Sequence, residues 1–381
     1  MTLLEAVSSH MMLKRDGVTI PAPTASAPRR RARIVAAVLI GCAAVAIDLA
    51  LWAAGISRYT DFDQIWIAAR ALLGGRDPYS AVAVSFHWPL FYPLTAVIST
   101  LPFAALPKVL AGPVFVGVSF SILAYGMTAR AWWPLIALLS YPAFDAAQSA
   151  QWSPVLTAVA FFPWLSWIAL SKPTSGGAIV GAYAIDSMRS KVLRVCALVG
   201  VGIIVISFLV WPHWLAEWVA TVRQSRHFVP LVLRPGGFLL LAALLRWRRS
   251  EARLLAFLSV VPATASPYEA LPLLLLISTR REAFAFSWLS IAAVPWLAVA
   301  IGNSANTGVF VAAIAHNAVV LMLALYFPAL LMVLRRPNEG TAPEWLERLL
   351  ARAPGWLRGS ATPATSHWSL IRDQEGSARW R

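Results

Sequence analysis

Charge is what this chain of 381 residues has least of: 13% of its side chains are charged and 59% are hydrophobic. A soluble protein of this length needs far more charge to cover its surface, so an integral membrane protein is expected. Cysteine is nearly absent. Its two copies, Cys42 and Cys196, both fall in apolar runs, which argues against a disulfide framework or a cysteine metal site and leaves them as small packing residues. Acids are few, 17 against 32 lysines and arginines, for a net charge of +15. In a soluble protein that balance would suggest nucleic acid. Here the arginines sit at the ends of apolar runs, where they report membrane topology, and no nucleic-acid partner is expected. Also missing are G-x-x-x-x-G-K-[ST], a strand-linked G-x-G-x-x-G, H-E-x-x-H and G-x-S-x-G, so a soluble-nucleotide site has no support and no metal or other cofactor is read from the chain.

What is present is a succession of apolar stretches of about 20 residues, not the roughly 10-residue alternation of barrel strands. The expected fold is all-α, a polytopic transmembrane helical bundle of about nine to eleven membrane segments. Residues 1–33 read as a cytoplasmic, largely disordered N-terminus with a Pro/Ala/Ser/Thr linker, and Arg29, Arg30, Arg31 and Arg33 hold it inside. Residues 34–335 form the membrane domain. Residues 336–381 are a cytoplasmic tail in which "PEWLERLLAR" predicts a surface helix, with Trp345, Leu346, Leu349 and Leu350 on one side. A cleaved signal peptide is not expected, since the apolar core starts late and is long.

The first span, about 34–55, delivers "DFDQIWIAARALLGG" to the outer face, where its spacing predicts a short interfacial helix with Ile65, Ala68, Ala69 and Leu72 on one side, ended by Gly74 and Gly75. Asp77 and Pro78 mark a turn. Spans at 86–106 and 109–127 are expected to meet inside at Pro107 and Lys108, and 132–144 is too short to cross and reads as re-entrant or broken. A span at 154–170 returns inside at Lys172 and Pro173, and a short Gly-rich segment leads to the span at 195–211. The Trp-rich "WPHWLAEW" then lies at the interface. Further spans are read at 228–245, 283–301 and 309–334. The run 254–278 is read as a hairpin broken at "SPYE", because that choice keeps Arg280, Arg281, Arg335 and Arg336 inside. This topology describes a multi-pass inner (plasma) membrane protein with both termini cytoplasmic.

Under it, the Asp61 loop, the segment with Gln148 and Gln151, the pair Tyr268 and Glu269, and His213 with Glu217 converge on the outer face. An acid there can take a proton from a sugar or lipid hydroxyl, with apolar walls raising its pKa. Arginines beside it can hold a phosphate. The structural alternatives are equally concrete. Asp61 can cap its helix, Asp63 and Asp77 suit a helix start and a turn, and Arg58, Arg70 and Arg76 can bind lipid headgroups. Asp48, within the first span, must lie near its outer end or be paired.

The stretch Asp61 to Tyr79, followed by "FYP" at Phe91 to Pro93, resembles the first outer loop of glycosyltransferase family 87. "AQWSP" at Ala150 to Pro154, the pair Lys172 and Pro173, and "SPYE" at Ser266 to Glu269 are similar to later elements of that family, though Ala150 stands where the family has Gly. The resemblance implies a GT-C fold and a transferase that moves a hexose, often mannose, from a polyprenyl-phosphate donor to a lipid-linked or envelope glycan acceptor on the outer face. It also implies Asp61 as the catalytic base. Arg58, Arg70, Arg76, His87, Gln151, Tyr268 and Glu269 are the candidate substrate-binding residues. The competing expectations are a transporter or lipid flippase, and a non-catalytic partner in envelope biosynthesis.

Overall fold

A computed structural model describes residues 28–56, 60–86, 88–187, 191–224, 228–297, 307–340, 344–352 and 354–360. Among them the chain is all-helical, and its one extended pairing is an isolated bridge between Glu339 and Ser360. Four helices are long and apolar enough to cross a membrane: Arg30–Ala53, Lys108–Met127, Lys191–Val210 and Val311–Leu334. The other apolar segments come in shorter helical pieces. Proline contributes, because it opens a helix well and is poorly tolerated inside one, although Pro113 sits within Lys108–Met127. It stands in the first turn of Leu101–Ala105, Trp133–Leu139, Tyr141–Gln148, Ser153–Ala158, Pro163–Ser171 and Pro267–Leu276. The continuous spans expected at 86–106, 154–170 and 228–245 are therefore absent; the last is a ten-residue 3-10 helix, Gly237–Arg246.

The pairing of α1 (Arg30–Ala53) with the second long helix sets the frame. Arg33, at the start of α1, donates to the Tyr125 carbonyl at 2.8 Å and stacks 4.2 Å over the Tyr125 ring, while Gly41 packs directly on Gly117. Lys108–Met127 therefore runs antiparallel to α1, and the connection between them leaves and returns at one end of the bundle. The expectation that Pro107 and Lys108 lie on the face opposite the Asp61 stretch is thereby corrected: Lys108 Nζ is 3.3 Å from Asp63. Residues 86–106 do not cross because Pro89, Pro93, Pro102 and Pro107 break them into short pieces.

At this end, α2 (Asp61–Leu73) and α3 (Pro78–Ser85) form from the stretch expected as an interfacial helix. Ile65, Ala68 and Ala69 are buried as the spacing requires, and Leu72 half-buried. Phe62 stacks on Phe115 of α4 (Lys108–Met127) with ring centroids 4.5 Å apart, and Trp66 Nε1 donates to the Leu106 carbonyl at 3.0 Å. The helix is thus packed into protein as well as placed at the bundle end.

The segment expected as re-entrant or broken is a 3-10 turn run, Trp133–Leu139, followed by α5 (Tyr141–Gln148), which brings the chain back to Asp61. There the Asp61 N–H donates to the Ser149 carbonyl at 3.2 Å. Ser153–Ala158 leads down to Phe161, which lies against Gly126 near the far end of α4. The chain then turns at Pro163 and returns along Pro163–Ser171, held by Thr95 Oγ1 donating to the Leu170 carbonyl at 2.7 Å. Lys172 consequently belongs to the Asp61 end, not to the opposite face as expected. The Gly-rich segment after it is a helix, α6 (Pro173–Ser187), whose Gly176 packs on the Ala169 backbone so closely that a Cβ would sit 2.7 Å from Ala169 Cα.

The hairpin reading of 254–278 agrees with the structure. After α7 (Lys191–Val210), α8 (Ser250–Val260) ends before Pro262, and Pro267–Leu276 restarts at the Asp61 end. Arg280, Arg281, Arg335 and Arg336 lie together at the other end, where Arg336 pairs with Glu282 at 2.9 Å. The arginines there do more than mark a face. Arg246 donates to the carbonyls of Leu334 and Arg336 at 3.0 and 2.6 Å, and buried Arg253 to those of Ala182, Trp247 and Arg248, so cations satisfy helix-terminal carbonyls. Arg248 holds Glu347 through two bonds of 2.5 and 2.6 Å, docking the expected tail helix, Glu344–Leu350. Leu349 on that helix stays 71% exposed, so its apolar side is not fully covered. Cys196 packs as expected, its thiol against the carbonyls of Pro163 and Trp164.

Candidate functional site

A cavity of about 730 Å³ opens at the Asp61 end. Its polar residues come from several elements: Asp61 and Gln64 from the first turn of α2, Asp145 and Gln148 from the proline-started α5, Lys172 from between Pro163–Ser171 and α6, and Tyr268 and Glu269 from the first turn of Pro267–Leu276. Trp88, Phe91, Tyr92, Tyr141, Trp218 and Phe228 supply aromatic walls. Trp218 Nε1 donates to the Phe91 carbonyl at 2.9 Å and the rings of Phe91 and Phe228 meet edge-on at 5.2 Å, which fixes that wall.

The three acids of the 59–79 stretch separate by role. Asp63 accepts the Thr60 N–H at 3.2 Å and pairs with Lys108, and Asp77 accepts the Tyr79 N–H at 2.9 Å and the Ser80 hydroxyl. Both are the helix-start residues their spacing suggests. Asp61 faces the cavity, and its carboxylate accepts a short hydrogen bond from Gln151 Nε2. Gln151 is fully buried, with Oε1 lacking a partner. The residue before it, Ala150, sits at φ +47°, and Ala265, just before Ser266, is at φ +53°. These are the non-glycine residues with positive φ among the described residues. Both adjoin the cavity, where strained backbone concentrates when it serves a site.

Asp145 receives Gln148 Nε2 at 2.8 Å and the Tyr268 N–H at 3.0 Å, so it ties α5 to the start of Pro267–Leu276. Burial pushes its carboxyl up to about 6 against the lowering effect of those two bonds. Burial likewise raises Glu269, opposed by the Lys172 charge, and its Oε2 has no partner. Lys172 is lowered by burial, opposed by Glu269 and Asp61, and its Nζ lies 4.6 Å from the centre of the Tyr268 ring.

Of the expected site residues, the structure brings Asp61, Gln151, Tyr268 and Glu269 together. Arg70 and Arg76 line a separate open hollow with Trp66, Asp77, Ser80 and Lys108, and Arg70 lies 5.9 Å over the Trp66 ring. Arg58 and His87 fall outside the described residues. His213 is exposed, and Glu217 accepts the Trp211 indole N–H at 2.8 Å; neither lines the cavity. Asp48 is buried close to the Asp61 end of α1, with Oδ2 unpartnered. Asp145 and Lys172 are the residues that sequence reasoning missed as site members. The signal that marks them in the sequence is an ionisable residue in an otherwise apolar stretch. Among the described residues no group of three His, Cys, Asp or Glu side chains is arranged to hold a metal ion.

No family model, curated protein or solved structure matches this chain.

Proposed function

We propose that the chain is a membrane glycosyltransferase that moves a hexose from a polyprenyl-phosphate donor to a lipid-linked or glycan acceptor, with the GT-C fold its resemblance to glycosyltransferase family 87 implies. The observation that carries this reading is the convergence of Asp61, Asp145, Glu269 and Lys172 in one aromatic-walled cavity at a single end of the helical bundle. Carboxylates and amides suit the paired hydroxyls of a sugar, and aromatic faces suit its C–H surface. Val222, Pro262, Val294, Leu297 and Ile314 make the rest of the wall apolar, as a donor carrying a lipid chain needs.

In this reading the acceptor hydroxyl oxygen bonds to the anomeric carbon and the bond from that carbon to the phosphate oxygen breaks. Its electron pair leaves with the phosphate, and the hydroxyl proton passes to the Asp61 carboxylate. Gln151 holds that carboxylate in place. The arginine-rich end faces the cytoplasm with both termini, and the cavity opens at the outer face of the plasma membrane.

The test is incubation of purified protein with a radiolabelled polyprenyl-phosphate sugar and a membrane extract, followed by identification of the labelled product. A labelled glycan or glycolipid is expected. Movement of intact donor between leaflets without product would identify a flippase, and no labelled product with full donor recovery would leave a non-catalytic partner; either outcome overturns the proposal.

A further inference from the structure

We propose that Lys172 is the residue that receives the donor's phosphate, an inference that rests on the transferase reading above. Two of the arginines expected to do this, Arg70 and Arg76, are not in the cavity: with Lys108 they line the separate hollow on the other side of α2, and Arg58 lies outside the described residues. Among the described residues, Lys172 is the one lysine or arginine lining the cavity that holds Asp61. Its ammonium stands over the Tyr268 ring, which fixes its direction without using any of its three N–H donors in a conventional hydrogen bond.

The backbone reinforces the charge. Ser171, Lys172, Pro173 and Thr174 all line the same wall, and α6 begins there and runs 15 residues away from the cavity. The positive end of a helix and a lysine thus meet at one place, a combination that favours an anion. The acids opposite do not bar it. Asp61 and Glu269 oppose the lowering that burial imposes on Lys172, so they favour the charged ammonium that would meet the phosphate.

The experiment compares binding of polyprenyl phosphate and of polyprenol with the same chain, in detergent, to wild type, Lys172→Met, Lys172→Arg and Asp61→Asn. Wild type and Asp61→Asn should prefer the phosphate. Lys172→Met should lose at least about tenfold in phosphate affinity, the size of one charge-assisted hydrogen bond, with polyprenol binding unchanged, and Lys172→Arg should recover most of the loss. Because removing a buried cation can prevent folding, a second measurement uses wild type alone: acetylation of Lys172 by an N-hydroxysuccinimide ester, read by peptide mass spectrometry, should be slowed by polyprenyl phosphate and not by polyprenol. If Lys172→Met binds the phosphate as wild type does, or Lys172 is not protected, the inference fails while the transferase reading stands. If wild type shows no preference for the phosphate at all, both fail.

Discussion

Gly41→Ala should weaken the seam between α1 and α4, and the structure sets the size of the effect. A methyl group at Gly41 would sit 2.5 Å from the Gly117 carbonyl oxygen and collide with the Ser121 hydroxyl. Ser121 can rotate away; the carbonyl is backbone and cannot. Since a comfortable carbon to oxygen contact is about 3.3 Å, the helices must part by roughly 0.8 Å at this point, along a seam where close backbone approach supplies the attraction. Overpacking of this kind costs about 1–3 kcal/mol, offset by up to about 1 kcal/mol because Ala favours a helix over Gly. Gly202→Ala is the matched control, since Gly202 lies in α7 with nothing within 4 Å of an added Cβ, so it should keep only the favourable term. Thermal unfolding in micelles, followed by fluorescence of the 18 tryptophans, should place Gly41→Ala below wild type and Gly202→Ala at or above it. Equal midpoints for the two variants would refute the close antiparallel packing of α1 on α4.

Three further outcomes follow from particular residues. Asp145 has a native pKa near 6 against an ordinary 3.8, so the native state holds its proton more tightly than the unfolded chain. Its contribution is greatest below about pH 4, is lost as pH rises to about 6, and totals about 3 kcal/mol. Asp145→Asn should flatten that part of the midpoint-against-pH curve between pH 4 and 7, and an unchanged slope would contradict it. At Ala150, glycine should be tolerated, with a midpoint within a few degrees of wild type, whereas Ala150→Val should melt clearly lower, because a β-branched residue resists the left-handed conformation. Glu347→Ala removes the bidentate partner of Arg248, so limited proteolysis should cut the tail beyond Pro337 faster than in wild type.

The long apolar helices were legible because 20 to 24 unbroken residues leave little choice. The arginine clusters at 246–253, 280–281 and 335–336 do gather at one end of the bundle, as their expected common face requires. Lys108 and Lys172 misled for one shared reason: a single lysine beside a proline looks like an inner loop, yet each stands beside carboxylates at the opposite end. Nothing local in 154–172 says that the chain doubles back at Pro163; that depends on Phe161 meeting Gly126 far away in sequence. Asp61 could be singled out from its neighbours, and helical geometry would have gone further. Arg70 is nine residues on, and at about 100° per residue it points to the far side of α2, whereas Gln64, three residues on, shares the Asp61 side. That is why Gln64 lines the cavity and Arg70 the other hollow.

The proposed role of the Asp61 carboxylate is that of the base in a glycosyl transfer. Its most direct test is transfer from a radiolabelled polyprenyl-phosphate sugar by Asp61→Asn, with the thermal midpoint measured on the same preparation. The expected result is a loss of at least about a hundredfold in rate, the scale of general-base catalysis, at an unchanged midpoint. Transfer at the wild-type rate by a folded Asp61→Asn protein would contradict the account.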